Sequence, residues 1–248
     1  MKNNRVVVIT GAAGGVGALL VQRFLENGDT VIATDADKDA LVALRSRYSY
    51  SPGARLFTTP ADVSSEDDVR GLVSFTRTRA DHVDVLINCA GYFPFIPFED
   101  LSADDFRRII DINLTGTFLM SHAFLPLMKG RGWGSIVNYG SGSVFEAPKG
   151  QAHYVAAKAG VIGLSRSLAR EVGEYGITVN VITPGLTLTK AVKDHFPAEL
   201  LQAQRDGRAL HRDEEPQDLV GPTFFLASPD AAFITGQILN VDGGKTMY

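Results

Sequence analysis

The chain has one cysteine in 248 residues. Cys89 therefore has no partner for an internal disulfide, which fits a reducing compartment. A surplus of basic charge is also missing. Lys and Arg number 24 against 28 Asp and Glu, for a net charge of -4 and a pI near 5.7. Without a basic stripe, nucleic acid is excluded as an expected partner. No apolar run reaches the ~20 residues that a membrane helix needs. The opening "MKNNRVVVIT" carries too short an apolar run for a signal sequence and leads straight into glycines. These absences predict an unprocessed cytoplasmic protein with no membrane contact. No cluster of His, Cys and Asp has the spacing of metal ligands, so no catalytic metal is expected. Repeats, low-complexity tracts and linkers are missing as well.

What remains is an ordinary globular composition, 45% apolar and 21% charged. Short β-rich runs alternate with helical patterns from end to end. The runs are "RVVVIT" (5–10), "TVIATD" (30–35), "ARLFTT" (54–59), "VDVLIN" (83–88), "GSIVNY" (134–139), "ITVNVIT" (177–183) and "QILNV" (237–241). Several are continuously apolar, the pattern of strands covered on both faces of a parallel sheet. Between them, "VGALLVQRFLENG" has helical spacing and ends at Gly28. "SSEDDVRGLVSFTRTRA" and "SADDFRRIIDINLTGTFLMSHAFLPLMK" each open with serine and acidic residues, a capping signature. The alternation predicts an α/β fold, a Rossmann-type doubly wound parallel sheet in a single domain spanning 1–248. The one long interruption, about 184–215, is expected to form a small helical lid.

Two patterns carry chemistry. "TGAAGGVG" runs from Thr10 to Gly17, after the first strand and at the opening of the first helix. Gly11, Gly15 and Gly17, with Val16 between the last two, allow a tight turn and a close approach to a pyrophosphate at the helix N-terminus. Glycines also cluster in ordinary turns, but the strand before and helix after favour a dinucleotide. An acidic residue is expected about 20 residues on, and Asp35 ends the second strand. Its carboxylate suits the ribose hydroxyls of NAD and repels a 2′-phosphate, and neither Gly14 nor Ala36 is basic. Asp35 as the N-cap of the next helix is the plainer alternative.

The second pattern is "HYVAAKAG", His153 to Gly160. Tyr154 and Lys158 are four apart and share a helix face. A nearby ammonium lowers the pKa of a phenol, which is otherwise about 10. The pair is therefore a tunable proton acceptor for an alcohol or donor for a ketone. A packed tyrosine with a snorkelling lysine is the plainer reading, but it explains poorly a lysine in a helix that is apolar nearly all round. His153, one residue from the tyrosine, points elsewhere and earns a pocket-lining role at best. His195 and His211 read as lid-surface residues.

The glycine pattern together with Tyr154-x-x-x-Lys158 resembles the short-chain dehydrogenase/reductase family, in its branch of about 250 residues. The resemblance covers essentially the whole chain. "DV" at Asp62 and Val63 is similar to the adenine-pocket motif. "NCAG", Asn88 to Gly91, is similar to the stretch after the fourth strand, with Cys89 replacing an asparagine and Ala90 kept. "INLTG" supplies Asn113, "IVNYGSGS" supplies Ser141, and "ITGQILNVDGG" is similar to the C-terminal strand.

The resemblance implies a catalytic set of Asn113, Ser141, Tyr154 and Lys158. Tyr154 would be the general acid/base and Ser141 would fix the substrate oxygen, with Ser143 a rival in the same loop. Lys158 would bind the nicotinamide ribose and lower the Tyr154 pKa. Asn113 would hold a water linking Lys158 to solvent. Pro184, Gly185, Thr187 and Thr189 would hold the nicotinamide. It also implies that the substrate pocket draws on the segments after the fourth and fifth strands and on the lid, where Phe93, Ser143, Phe145 and Leu186 are the candidates. Tyr92, Phe95, Val144 and Phe196 are further apolar residues of those segments, and Glu146, Lys149, Gln151 and His153 are polar ones suited to a sugar.

The expected activity is NAD-dependent interconversion of a secondary alcohol and a ketone. The alternatives are a sugar or polyol dehydrogenase, an NADPH-dependent 3-oxoacyl reductase, and a non-catalytic dinucleotide sensor. The apolar helix after Tyr154 and the apolar C-terminal segment, with the family's habit of pairing such helices, imply a homotetramer.

Overall fold

The computed structural model describes residues 4–48 and 53–247, the side chains of Ala191 and His195 lying outside that set. Tyr248, the last residue of the apolar C-terminal segment, is also outside it.

The elements in chain order are β1 (Val6–Thr10), α1 (Gly15–Glu26), β2 (Thr30–Asp35), α2 (Lys38–Ser46), β3 (Arg55–Pro60), α3 (Glu66–Arg77), β4 (Val85–Asn88), α4 (Ala103–Ile110) and α5 (Gly116–Met128). Then come β5 (Gly134–Tyr139), α6 (Ser143–Glu146), α7 (Ala152–Val172), β6 (Ile177–Pro184), α8 (Lys190–His195), α9 (Ala198–Asp206), α10 (Val220–Leu226) and β7 (Ile238–Val241). The strands form one parallel sheet in the order β3-β2-β1-β4-β5-β6-β7. The order reverses between β1 and β4, so a crevice opens there at the C-terminal ends of the strands.

Successive side chains of a strand point to opposite faces. In β1, Val7 and Ile9 pack with Leu20, Val21 and Phe24 of α1 and with Phe224 of α10. Val6 and Val8 face the other way, against Leu72 of α3, Met120 and Phe124 of α5, and Val172 of α7. Two helical layers cover the sheet, which is why the strands are apolar on both sides. The helix starts follow local chemistry. Ser65 Oγ accepts from the Asp68 N–H at the start of α3, and Ser102 Oγ from the Asp105 N–H at the start of α4.

One helix departs from the sequence pattern. The run from Ser102 to Lys129 reads as a single helix, but a π turn at Asp111–Thr115 separates α4 from α5. Apolar spacing is helical on either side, so one wide turn leaves no mark in the periodicity. The turn carries Asn113, which is fully buried.

A buried ion pair fastens the opposite end of the sheet. The Arg5 guanidinium donates to both carboxylate oxygens of Asp29, at 3.2 and 2.7 Å, and to the Ala227 carbonyl at 2.6 Å. It lies 5.3 and 5.2 Å from the ring centres of Phe24 and Phe224. The first strand, the start of the second and the end of α10 are thereby tied together.

Candidate active site

The loops at the C-terminal ends of β1, β2, β4, β5 and β6 converge on one cavity of about 750 Å³. Its floor at one end is the glycine-rich turn. Gly11 has a φ of +62°, and a Cβ there would meet the Ala90 backbone at 2.9 Å. A Cβ on Gly17 would overlap the Gly11 carbonyl oxygen. The turn is therefore a cradle that only glycine closes, opening onto the N-terminus of α1. Thr10 Oγ1 accepts from the N–H groups of Cys89 and Ala90, both at 3.1 Å, and so locks the ends of β1 and β4 together.

Asp35 lines the cavity at the end of β2. One carboxylate oxygen accepts from the Ala13 N–H at 3.0 Å and the other from the Asp37 N–H at 3.1 Å. The N-cap of α2 is Asp37, whose side chain accepts from the N–H groups of Asp39 and Ala40. Asp35 is thus free of capping duty and presents its carboxylate beside the glycine turn.

At the other end, Tyr154, Lys158, Ser141 and Ser143 line the same cavity. Lys158 is buried and donates to the Tyr139 carbonyl at 2.8 Å. Its ammonium lies 5.7 Å from the centre of the Tyr154 ring. Burial pulls the lysine pKa down to about 8. Burial pushes the Tyr154 phenol up to about 12, while a hydrogen bond with Ser141 acts in the opposite sense. In the protein by itself the phenol is therefore protonated at neutral pH, the form that protonates a ketone oxygen. A positive charge brought next to it favours the phenolate.

The two serines separate by their contacts. Ser143 Oγ donates to Gln151 Oε1 at 3.1 Å, whereas Ser141 Oγ accepts from the Ser143 N–H at 3.1 Å and turns its hydroxyl towards Tyr154. Asn113 sits behind the cavity wall. Its Oδ1 accepts from the Tyr92 N–H at 3.3 Å, and its Nδ2 donates to the carbonyls of Tyr92 and Ile109. A Cβ on Gly91 would lie 3.0 Å from Asn113 Oδ1 and 3.5 Å from Lys158 Nζ, so the amide and the ammonium flank the same glycine.

Gly11, Gly15, Val16, Gly17, Asp62, Val63, Ala90, Gly91, Pro184, Gly185, Thr187 and Thr189 all line the cavity, as do Phe93 and Leu186. Asn88 and Phe145 do not. Asn88 is buried under the floor, donating to Asn138 Oδ1 and Ser121 Oγ. His153 is fully buried and lines no part of the cavity. His211 is exposed. Sequence reasoning missed Arg108, Tyr139, Leu200 and Gln204 as wall residues. Tyr139 is the clearest loss: it contributes a carbonyl, which no side-chain pattern can announce.

Among the described residues no group of three or more His, Cys, Asp or Glu can hold a metal ion, and no helix is long and apolar enough to cross a membrane.

A family model described as Enoyl-(Acyl carrier protein) reductase matches residues 11–246. The chain belongs to the short-chain dehydrogenase/reductase family. It is 36% identical over 246 residues to 2,3-dihydroxy-2,3-dihydro-p-cumate dehydrogenase of Pseudomonas putida, covering 98% of this chain and 95% of that one. A 3-oxoacyl-acyl-carrier-protein reductase of Vibrio harveyi is 35% identical over 246 residues, covering 98% of both. Among solved structures, a short-chain dehydrogenase/reductase from Brucella melitensis titled glucose/ribitol dehydrogenase superposes with a TM-score of 0.93. It is 32% identical and covers 99% of this chain and 98% of that one. Short-chain dehydrogenases/reductases are oxidoreductases that work with a nicotinamide dinucleotide, NAD(H) or NADP(H), and this chain is one of them. The cavity suits such a group by its own geometry: a glycine cradle and helix N-terminus at one end, and a buried lysine beside a tyrosine at the other.

Proposed function

We propose that the protein is an NAD-dependent dehydrogenase interconverting a secondary alcohol and a ketone that bears a medium-sized apolar or aromatic substituent. The dinucleotide, when bound, supplies the hydride chemistry. Gly11, Gly15, Val16, Gly17, Asp35, Asp62, Val63, Ala90 and Gly91 hold its adenosine and phosphate end, and Pro184, Gly185, Thr187 and Thr189 its nicotinamide end. Asn88 acts from beneath, by holding the end of β4. Lys158 binds the ribose hydroxyls. Ser141 donates to the substrate oxygen and fixes it. In oxidation Tyr154 Oη takes the hydroxyl proton of the alcohol, and in reduction it returns a proton to the ketone oxygen. Asn113 positions the Gly91–Tyr92 backbone beside Lys158 and holds the water that relays protons from Lys158 to solvent.

One observation carries the substrate reading: the wall around Tyr154 is aromatic, while the polar loop residues that line the cavity, Glu146 and Gln151, are already bonded to protein partners. Phe93 packs against Tyr154 at 6.1 Å between ring centres, and Phe95 meets Phe196 edge-on at 5.5 Å. Glu146 accepts from Lys245 Nζ at 2.5 Å, and Gln151 is bonded to Ser143. Lys149 and His153 do not line the cavity. These four loop residues therefore offer little to replace the water around a polyol. A screen of secondary alcohols, polyols and sugars with NAD⁺ tests the reading. Sugars turned over with kcat/KM far above any aryl or alkyl carbinol would overturn it in favour of a sugar dehydrogenase.

The cofactor preference rests on Asp35. Unit charges 4 Å apart repel by about 1–4 kcal/mol between water and a protein surface, so the carboxylate disfavours a 2′-phosphate by at least about fivefold. Asp35→Ala is expected to erase most of that ratio in kcat/KM, and adding Ala36→Arg to move it towards NADP. A wild type that prefers NADP would instead favour the 3-oxoacyl reductase reading. A dinucleotide sensor is the weakest alternative, because it has no use for Tyr154, Lys158 and Ser141 around one cavity. The lone Cys89 fits a cytoplasmic enzyme.

The enzyme is further read as a homotetramer. Ala152, Ala156, Ala159 and Gly163 are exposed along one face of α7, and Phe118 of α5 is 46% exposed. Phe233, before β7, is fully exposed and suits a second interface. Light scattering at micromolar concentration is expected to return about four times the 26.7 kDa chain mass. A monomer mass would refute it.

A further inference from the structure

Gly185 to Leu188, the segment leaving β6, is held from behind by two buried charges. Glu214 and Arg208 are 4% and 2% exposed. Neither lines the cavity. Glu214 Oε2 accepts from the Gly185 N–H at 3.0 Å, and Oε1 accepts from the Thr187 hydroxyl at 2.6 Å. The Glu214 carbonyl accepts from the Leu188 N–H at 2.6 Å. Arg208 donates to the Leu186 carbonyl at 2.9 Å and to the Arg212 carbonyl at 3.0 Å, and lies 3.8 Å from Glu214 Oε2. Every residue from Gly185 to Leu188 is thus fastened to the stretch that follows α9. The helices α8 and α9 hang between these two legs, and the ion pair joins the legs.

We propose that Arg208 and Glu214 form a clamp at the base of the lid, with Glu214 as a positioning residue. Ionised, it holds Gly185 and Thr187 in the register the dinucleotide needs; protonated, it loosens them, leaving the Gly185 N–H on the Val241 carbonyl at 3.2 Å. The inference rests on the reading that residues 184–189 hold the nicotinamide, and it adds a control to that site.

Hydrogen bonds to a charged acceptor are about twice as strong as neutral ones. The carboxylate therefore grips the Gly185 N–H and the Thr187 hydroxyl more firmly than the acid does. One cation at 3.8 Å compensates its burial incompletely, and burial pushes the Glu214 pKa up to about 7. The sign follows. A carboxyl raised from 4.5 to about 7 is favoured as the acid in the fold. The cost of its charge appears as pH rises through that window, and so does the clamp. Dinucleotide binding should strengthen over the same interval and, reciprocally, expel a proton.

The neighbouring charges are Arg208, Arg212, Asp213, Glu215, Asp218 and Asp242. Arg212 is bonded to both oxygens of Asp218, Arg205 to Asp213, and Lys193 lies 3.9 Å from Glu215. Asp242 accepts from the N–H groups of Gly244, Lys245 and Thr246. Lys158, at about 8, loses its charge as pH rises and so acts in the opposite direction.

The test is calorimetric titration of the full chain with NADH and with NADPH between about pH 5.5 and 8.5. It compares wild type, Glu214→Gln and Thr187→Val. Hydrogen exchange of the 184–190 segment is followed without dinucleotide. Wild-type affinity is expected to be about fivefold weaker at the acid end, with an inflection near 7. Glu214→Gln should lose that inflection and keep only the fall towards pH 8.5 that Lys158 imposes. Thr187→Val, which removes a donor to the carboxylate, should move the inflection upward. Protection of the segment in wild type relative to Glu214→Gln should fall on the acid side. A Glu214→Gln variant that keeps the inflection would overturn the clamp, as would a wild type flat in both affinity and relative protection. If wild type binds neither dinucleotide at any pH, the cofactor reading fails, and the exchange comparison decides the clamp by itself.

Discussion

Tyr154→Phe is expected to reduce turnover by at least about a thousandfold, within the span of general acid–base catalysis, while dinucleotide binding survives. The substitution removes one oxygen and leaves the ring, so the packing against Phe93 is kept. The glycine cradle lies at the other end of the cavity and is untouched. Ser141 still offers its hydroxyl to the substrate oxygen, but no group takes or returns the proton. Lys158 does not substitute, because it is committed to the Tyr139 carbonyl. Steady-state rates with the best carbinol of the screen, with a dinucleotide titration beside them, make the check. Turnover within a few-fold of wild type would sink the mechanism. Loss of binding together with activity would mean that the hydroxyl holds the dinucleotide rather than moving the substrate's proton.

Asp29→Asn is expected to cost about 3–5 kcal/mol of stability, the range for breaking a buried ion pair. The asparagine keeps the shape and removes the charge. It leaves the Arg5 guanidinium buried against two rings with the Ala227 carbonyl as its remaining strong acceptor. It also puts an amide donor in place of one of the two oxygens, facing either the Arg5 backbone N–H or the Asn27 amide that now donates there. Urea unfolding at neutral pH should show a lower midpoint with an unchanged slope, since the surface exposed on unfolding does not change. A loss under about 1 kcal/mol, the range of exposed pairs, would contradict the buried character of this one.

The catalytic pair and the buried ion pair differ in the trace they leave in the sequence. Tyr154 and Lys158 declare themselves by spacing, because a helix brings residues four apart onto one face whatever surrounds it. The glycine turn declares itself through its neighbours, a strand before and a helix after. The strands were readable because burial on both faces leaves continuous apolar runs. The Arg5–Asp29 pair left no such trace. Its members are 24 positions apart and meet because β1 and β2 are neighbours in a parallel sheet.

Local sequence determined the elements, the doubly wound class, and the residues whose chemistry depends on position along one helix or turn. Their physical basis is short-range: helical and strand periodicity, capping, and the steric freedom of glycine. Tertiary structure decided what depends on distant segments meeting. It placed the Tyr139 carbonyl under Lys158, turned Ser143 towards Gln151 and turned Ser141 towards Tyr154. It inserted a wide turn at Asn113, hid His153 from the cavity, and drew Glu214 and Arg208 behind Gly185. Each of these depends on the sheet order and on loop paths, which bring together groups that no periodicity along the chain connects.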